Sequence, residues 1–194
     1  MTLDSLKPLG YKAVKPGVRA ARSLGMTPNQ VSVVSLVVAV ASGVSFSVGS
    51  FYGYVGGSLL VVLNGFLDLV DGELARESGS ESKKGDFLDH VLDRYSDAVF
   101  VVGISAGTGE WMFGLLALTG VFMTSYMGTQ AQAVGAGREY GGALGRADRM
   151  SLIVAGGLAH AAFGGVLRWV LILFAVVGNL TAVQRFVMTW RGMD

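Results

Sequence analysis

Residues 63–100 read LNGFLDLVDGELARESGSESKKGDFLDHVLDRYSDAVF, and this stretch holds nine of the chain's 14 acidic residues, from Asp68 to Asp97, between two apolar runs. Carboxylates are costly at membrane depth and must be paired, hydrated or bound to a cation. Asp68 and Asp71, three apart, share a face at the end of one expected helix; Asp89 and Asp93, four apart, share a face near the start of the next. The turn at 77–84 brings the two faces together. Carboxylates at about 4 Å repel by about 4 kcal/mol per pair at an effective dielectric of about 20, a strain that divalent cations relieve.

Outward from this stretch the chain becomes apolar. Asp, Glu, Lys and Arg are absent from 23–67, a run of 45 residues, and again from 111–137. With 52% hydrophobic and 15% charged residues, the composition excludes an ordinary soluble domain, intrinsic disorder and nucleic-acid binding. A bilayer-spanning helix needs about 20 mostly apolar residues. The apolar runs and their Gly, Pro and charge punctuation predict an all-α polytopic membrane protein with six transmembrane helices, at 28–49, 52–75, 86–107, 110–134, 148–164 and 167–189. Small residues such as Ala39 with Gly43, or Gly53 with Gly57, suit close helix contact in lipid.

Charge sets the sidedness. With the N-terminus inside, Lys7, Lys12, Lys15, Arg19, Arg22, Arg76, Lys83, Lys84, Arg94, Arg138, Arg146, Arg149, Arg185 and Arg191 all fall on the cytoplasmic side; of the 15 basic residues only Arg168 lies outside. The plasma membrane is the expected location, with both termini and the acidic face cytoplasmic. The first 22 residues lack a compact apolar core before a small-residue cleavage site, so no cleaved leader is expected. Within them Tyr11, Val14, Val18 and Ala21 form one stripe and Lys12, Lys15, Arg19 and Arg22 an adjacent one. That is the pattern of an interfacial amphipathic helix, with Pro16 kinking or restarting it; a solvated basic leader is the plainer alternative. Residues 1–26 are accordingly read as a cytoplasmic juxtamembrane segment and 27–194 as the six-span domain.

The chain has no cysteine, which removes thiol chemistry and leaves oxygen ligands for any metal. All-oxygen ligation selects Mg²⁺ or Mn²⁺, and Mg²⁺ points to phosphate, whose oxygens complete its shell. Gly72 and Gly85 place bare backbone beside the carboxylates, and Arg76 offers a charge for a phosphate. A solvated turn with side-chain pairs accounts for Glu77, Glu81, Asp86 and Asp97, but not for the four aspartates together. His90 and His160 read as packing or interface residues, and Trp111, Trp169 and Trp190 as headgroup anchors at span ends. A cation transporter using the acidic face is the competing class, but it would need carboxylates along a path through the bilayer.

The fixed residues Asp68, Asp71, Gly72, Ala75, Arg76, Gly85, Asp89 and Asp93 fit D-x-x-D-G-x-x-A-R-x8-G-x3-D-x3-D, and in this the chain resembles the CDP-alcohol phosphotransferases. The resemblance implies a six-span, dimeric membrane enzyme that moves a phospholipid moiety from a CDP-linked lipid (CDP-archaeol or CDP-diacylglycerol) to an alcohol and releases CMP. It implies that Asp68, Asp71 and Asp89 bind metal, with Asp93 as general base and possible further ligand. Two ions are expected, about 3.5 to 4 Å apart. Gly72, Ala75, Arg76, Ser82 and Gly85 would line the CDP-lipid site, joined by Pro28, Asn29, Gln30 and Val31 of the Thr27-Pro28-Asn29 turn that opens the first span. Taken alone, that turn is a good helix start with Pro at its first position.

The acceptor side is less marked. Arg146, Arg149 and Arg185 would bind an acceptor phosphate, or stand where they do through the positive-inside bias alone. Ser125-Tyr126, the stretch 145–149, Asn179, Thr181 and Arg185 are similar to the branch of the family that couples CDP-lipids to inositol phosphate. After Ser125-Tyr126 the chain carries Gly128, Gln130 and Gln132, where that branch often has charged residues. Glycerol phosphate or another alcohol is the alternative acceptor.

Overall fold

The computed structural model describes residues 7–137 and 144–193, with side chains from residue 13 onward, and every regular element among them is helical. Arg138 lies outside the described residues, as do the side chains of Lys7, Tyr11 and Lys12. In order the helices are α1 (Lys7–Ser23), α2 (Pro28–Ser47), α3 (Phe51–Ser78), α4 (Lys83–Thr108), α5 (Trp111–Ala133), α6 (Arg146–Phe163), α7 (Val166–Leu173) and α8 (Asn179–Arg191). A π-helical turn, Phe174–Gly178, joins α7 to α8. Six rods thus occupy the six expected spans, with end offsets no larger than three residues, as at 78 against 75.

Among the described residues four rods are long and apolar enough to cross a bilayer: α2, α3, α5 and the continuous Val166–Arg191. The other two fall short of that standard for a visible reason. Residues 83–97 of α4 carry Lys83, Lys84, Asp86, Asp89, Asp93, Arg94 and Asp97, and α6 is 18 residues long with Arg146, Asp148 and Arg149 in its first turn. The outer faces of the apolar rods suit lipid. On α2, Val37 is 63% and Val44 60% exposed while Ala39 and Phe46 are fully buried, so the helix is apolar all round rather than along one stripe.

Each start has a local cause. Thr27 and Gln30 cap α2 reciprocally: the Gln30 N–H donates to Thr27 Oγ1 at 3.3 Å and the Thr27 N–H to Gln30 Oε1 at 2.8 Å, with Pro28 at the position where its missing donor is not needed. Ser50 Oγ accepts from the Gly53 N–H at 3.1 Å to start α3. In α1, Pro16 lies inside one helix rather than dividing two. Its apolar stripe, Val14, Val18 and Ala21, is buried against Val31 of α2 and Val70 and Leu74 of α3. Protein, rather than lipid, covers the stripe that suggested an interfacial helix.

The rods meet through small residues. Gly43 of α2 faces Val99 and Gly103 of α4, and a Cβ on Gly103 would lie 2.3 Å from the Gly43 carbonyl oxygen. Gly57 of α3 lies against the Phe46 ring. Backbones that approach this closely gain dispersion contact where no hydrophobic drive distinguishes protein from lipid. Gly103→Ala should therefore destabilise the fold by about 1–3 kcal/mol through overpacking, read as a lower unfolding temperature in detergent micelles; an unchanged temperature would show that α2 and α4 can separate freely.

Candidate active site

The reversal from α3 to α4 is tight. Gly79 closes α3 in the left-handed conformation at φ 63°, which favours glycine, and Ser82 Oγ accepts from the Gly85 N–H at 3.1 Å to open α4. This hairpin sets Asp68 and Asp71 across from Asp89 and Asp93, near enough that the charges of Asp68 and Asp89 act on both Asp71 and Asp93. A cavity of about 700 Å³ opens in front of them.

Of the sequence-predicted residues, Asp68, Asp71, Asp89, Pro28, Asn29, Gly72, Ala75, Arg76, Ser82 and Gly85 all line this cavity. A Cβ on Gly72 would meet nothing nearer than the Arg76 guanidinium at 3.7 Å, so glycine there leaves room beside the acids. Arg76 is held toward the cavity by the buried Glu73, at 3.0 Å from Nε and 2.8 Å from Nη2. Gln30 is engaged in the α2 cap and lines an adjoining apolar hollow with Leu24, Val33, Val34 and Leu88. Val31 is 2% exposed and packs in the core under α1.

The carboxylates are oriented from behind. Ser35 Oγ donates to Asp68 Oδ1 at 2.6 Å and itself accepts from Asn64 Nδ2 at 2.7 Å, while Ser32 Oγ donates to Asp71 Oδ2 at 2.7 Å. Arg146, at the head of α6, bridges the two helices: Nη1 stands 2.5 Å from Asp68 Oδ2 and Nη2 2.9 Å from Asp93 Oδ1. These contacts are ion pairs without hydrogen-bond alignment, since Asp68 Oδ2, Arg146 Nε and Arg146 Nη2 are buried with no hydrogen-bond partner.

A second cavity of about 590 Å³ adjoins from the α5 side, and all three of the predicted acceptor arginines, Arg146, Arg149 and Arg185, line it together with Arg94, Ser125 and Tyr126. Arg149 is fixed by Asp97 Oδ2 at 2.7 Å and by the Leu144 carbonyl at 3.1 Å; Arg185 donates to the Thr124 carbonyl at 2.7 Å. Arg94 hydrogen-bonds Ser125 through Nη1 and lies 3.5 Å from Asp93. Asp93 is thus tied by Arg146 and Arg94 to the second cavity and by Arg146 to Asp68 of the first.

Three features escape the sequence reading. Asp97, assigned there to a solvated turn, is 4% exposed and pairs with a 5% exposed Arg149. Its place four residues after Asp93, continuing the Asp89 and Asp93 face, was a usable signal. Arg22, read as part of a basic stripe, lines the first cavity and pairs with Glu77 at 2.8 Å. Ser32, Ser35 and Asn64 carry no such mark, because small polar residues in an apolar span have many other uses.

Among the described residues no three acidic or histidine side chains already form a cage for a metal ion. The donor set nevertheless fits a hard cation: four carboxylates and no sulfur or imidazole, with Asp68 Oδ2 buried and lacking a hydrogen-bond donor.

Among the described residues the protein is all-helical, with four rods long and apolar enough to cross a bilayer and a carboxylate-lined cavity at one end of them, which defines a membrane protein with a candidate metal site. Residues 25–191 match the CDP-alcohol phosphatidyltransferase family. The chain is 31% identical over 97% of its length to the archaetidylinositol phosphate synthase of Methanothermobacter thermautotrophicus, covering 94% of that protein. It is 30% identical to that of Pyrococcus horikoshii, over 94% of each chain. Among solved structures, the phosphatidylinositol phosphate synthase of Mycobacterium tuberculosis with CDP-DAG bound superposes with a TM-score of 0.83 at 26% identity, covering 94% of this chain and 98% of the other. The same enzyme in complex with manganese and citrate gives 0.84, covering 93% and 92%. The chain belongs to the CDP-alcohol phosphatidyltransferase family and is a membrane protein.

Proposed function

We propose that this protein transfers the phospholipid moiety of a CDP-linked lipid to inositol phosphate, with release of CMP. The observation that carries this reading is the pair of adjoining cavities: one lined by the family's aspartates and glycines, the other by Arg94, Arg146, Arg149 and Arg185, with Asp93 between them. The first suits a CDP-lipid, as in the M. tuberculosis structure with CDP-DAG. The second suits an acceptor that carries its own phosphate, since guanidinium groups bind phosphate oxygens in a forked geometry. An uncharged alcohol would make little use of so many guanidinium groups around one cavity.

Asp68, Asp71, Asp89 and Asp93 would hold two ions of Mg²⁺ or Mn²⁺; the M. tuberculosis relative is known with manganese. Bound there, the metal supplies charge neutralisation for the phosphate under attack. The protein's own residues do the rest. Gly72 and Gly85 admit the diphosphate close to the backbone, and Arg76, steadied by Glu73, offers it a charge. Arg149 and Arg185, held by Asp97 and by the Thr124 carbonyl, orient the acceptor. Asp93 takes the acceptor hydroxyl's proton as the new bond to phosphorus forms.

In the membrane, α2 to α6 and the final rod make the six spans, with both termini and the cavities on the cytoplasmic side of the plasma membrane. Residues 1–26 lie at the inner surface ahead of the 27–194 domain, and the protein works as a homodimer. Nothing in this arrangement suits passage of an ion: among the described residues α5, α7 and α8 carry no carboxylate.

The test is an acceptor panel of inositol phosphate, glycerol phosphate, inositol, glycerol and serine, each added to the purified protein with CDP-lipid and Mg²⁺ or Mn²⁺. Inositol phosphate should drive CMP release well above the others. Preference for an uncharged alcohol would contradict the reading of the second cavity, and preference for glycerol phosphate would keep the phosphate subsite while changing the substrate.

A further inference from the structure

Arg146 occupies an unusual position. It stands at the first residue of α6, its side chain is 22% exposed, and its two terminal nitrogens each approach a carboxylate from a different helix, Asp68 of α3 and Asp93 of α4. Its neighbour Arg149 shows what a structurally fitted arginine looks like here, with directed bonds to Asp97 and to the Leu144 carbonyl. Arg146 differs in what it serves: its Nη1 and Nη2 lie against carboxylates of two different helices, while its Nε, like that of Arg149, is buried with no hydrogen-bond partner. It stands as a counter-ion between two acids and not as the partner of one.

The cluster it enters has four carboxylates, with Asp68 and Asp89 repelling the others. One guanidinium brings a single positive charge to this cluster, spread over three nitrogens. A divalent cation brings two on a small ion and takes carboxylate oxygens directly. A metal held by Asp68 and Asp93 would draw on the same carboxylate charge as the guanidinium and would weaken its hold on them. Because Arg146 also lines the second cavity, a guanidinium that gives up the aspartates faces that space, where an anionic acceptor would be its new counter-charge.

We propose that Arg146 is the resident counter-cation of the aspartate cluster, competing with divalent metal for Asp68 and Asp93 and released toward the second cavity when metal binds. This rests on the reading of the four aspartates as the metal site. Metal entry then precedes productive binding of the acceptor, because the arginine serves one site or the other. In the metal-free protein the guanidinium also offsets part of the repulsion among the acids.

The experiment is Mn²⁺ titration of the full-length protein in detergent micelles, followed by the loss of the free-ion paramagnetic signal, in wild type, Arg146→Gln and Arg146→Lys. Arg146→Gln should bind Mn²⁺ on the order of tenfold more tightly or better, the scale of a charge-assisted contact removed. Arg146→Lys, a point charge that cannot bridge two carboxylates, should lie between, and it decides the matter if the glutamine variant does not fold. Thermal unfolding gives a second readout. In chelator Arg146→Gln should unfold below wild type, and the gap should close at saturating Mn²⁺. Equal or weaker Mn²⁺ binding by the variants, or a gap that persists with metal, would make Arg146 an organiser of the ligands and overturn the proposal. If wild type itself binds no Mn²⁺, the reading of the aspartates as metal ligands falls as well.

Discussion

Asp93→Asn is expected to lower turnover by about 10² to 10⁴-fold while CDP-lipid binding persists. The substitution keeps the side chain's shape and removes its basicity. A polyol hydroxyl is a poor nucleophile near neutral pH, so a carboxylate within hydrogen-bond reach has to accept its proton in the transition state. Among the four aspartates Asp93 alone is absent from the lining of the larger cavity, and it is paired with both Arg146 and Arg94, which line the second. Turnover and bound metal should be measured together. Unchanged turnover at normal metal content would assign the proton to another group; loss of metal along with turnover would make Asp93 chiefly a ligand.

Arg185→Ala should raise the KM for a phosphorylated acceptor by about 10- to 150-fold, the range for losing one charged hydrogen bond, with the KM for CDP-lipid nearly unchanged. Arg185 projects from α8 into the second cavity and is absent from the lining of the first. Arg149→Ala should act in the same direction, but it also leaves Asp97 buried without its partner, so a fall in stability of about 3–5 kcal/mol accompanies the kinetic effect. Arg185→Ala is the cleaner variant for that reason, since it leaves the buried Arg149–Asp97 pair intact. Asp97→Asn tests positioning: it should raise the same KM through Arg149, with kcat moved much less. Equal effects on both substrates from Arg185→Ala would show that the second cavity is not an acceptor subsite.

The helical rods were legible because charge is excluded from long runs of the sequence, and the start of α2 because Thr27-Pro28 is a helix start; the ends beside Gly79 and Ser82 were set three residues short, where charged residues continue the helices past the apolar runs. The aspartate cluster was legible for the opposite reason: acids at spacings of three and four in an apolar context have few benign explanations. What the sequence hides is pairing between distant segments. Spacing puts Asp97 on the face of Asp89 and Asp93, but only its partner Arg149, 52 residues away, shows that it is buried in an ion pair while Asp86 is exposed. The α1 stripe posed the same difficulty. Amphipathic periodicity says that one face is covered, and only the packing of Val14 and Val18 on Val70 and Leu74 says by what. The arginines of the second cavity likewise satisfied both a topological and a functional reading until α5, α6 and α8 placed them around one space.

The central claim is group transfer at the aspartate cluster, and product stoichiometry tests it most directly. Purified protein in micelles, given a CDP-lipid, inositol phosphate and Mg²⁺ or Mn²⁺, should form CMP and the phosphoinositol lipid in equal amounts, with neither formed in chelator or by Asp68→Asn. Release of CMP at the same rate without inositol phosphate, or in chelator, or no release by well-folded protein with any acceptor in the panel, would contradict the account.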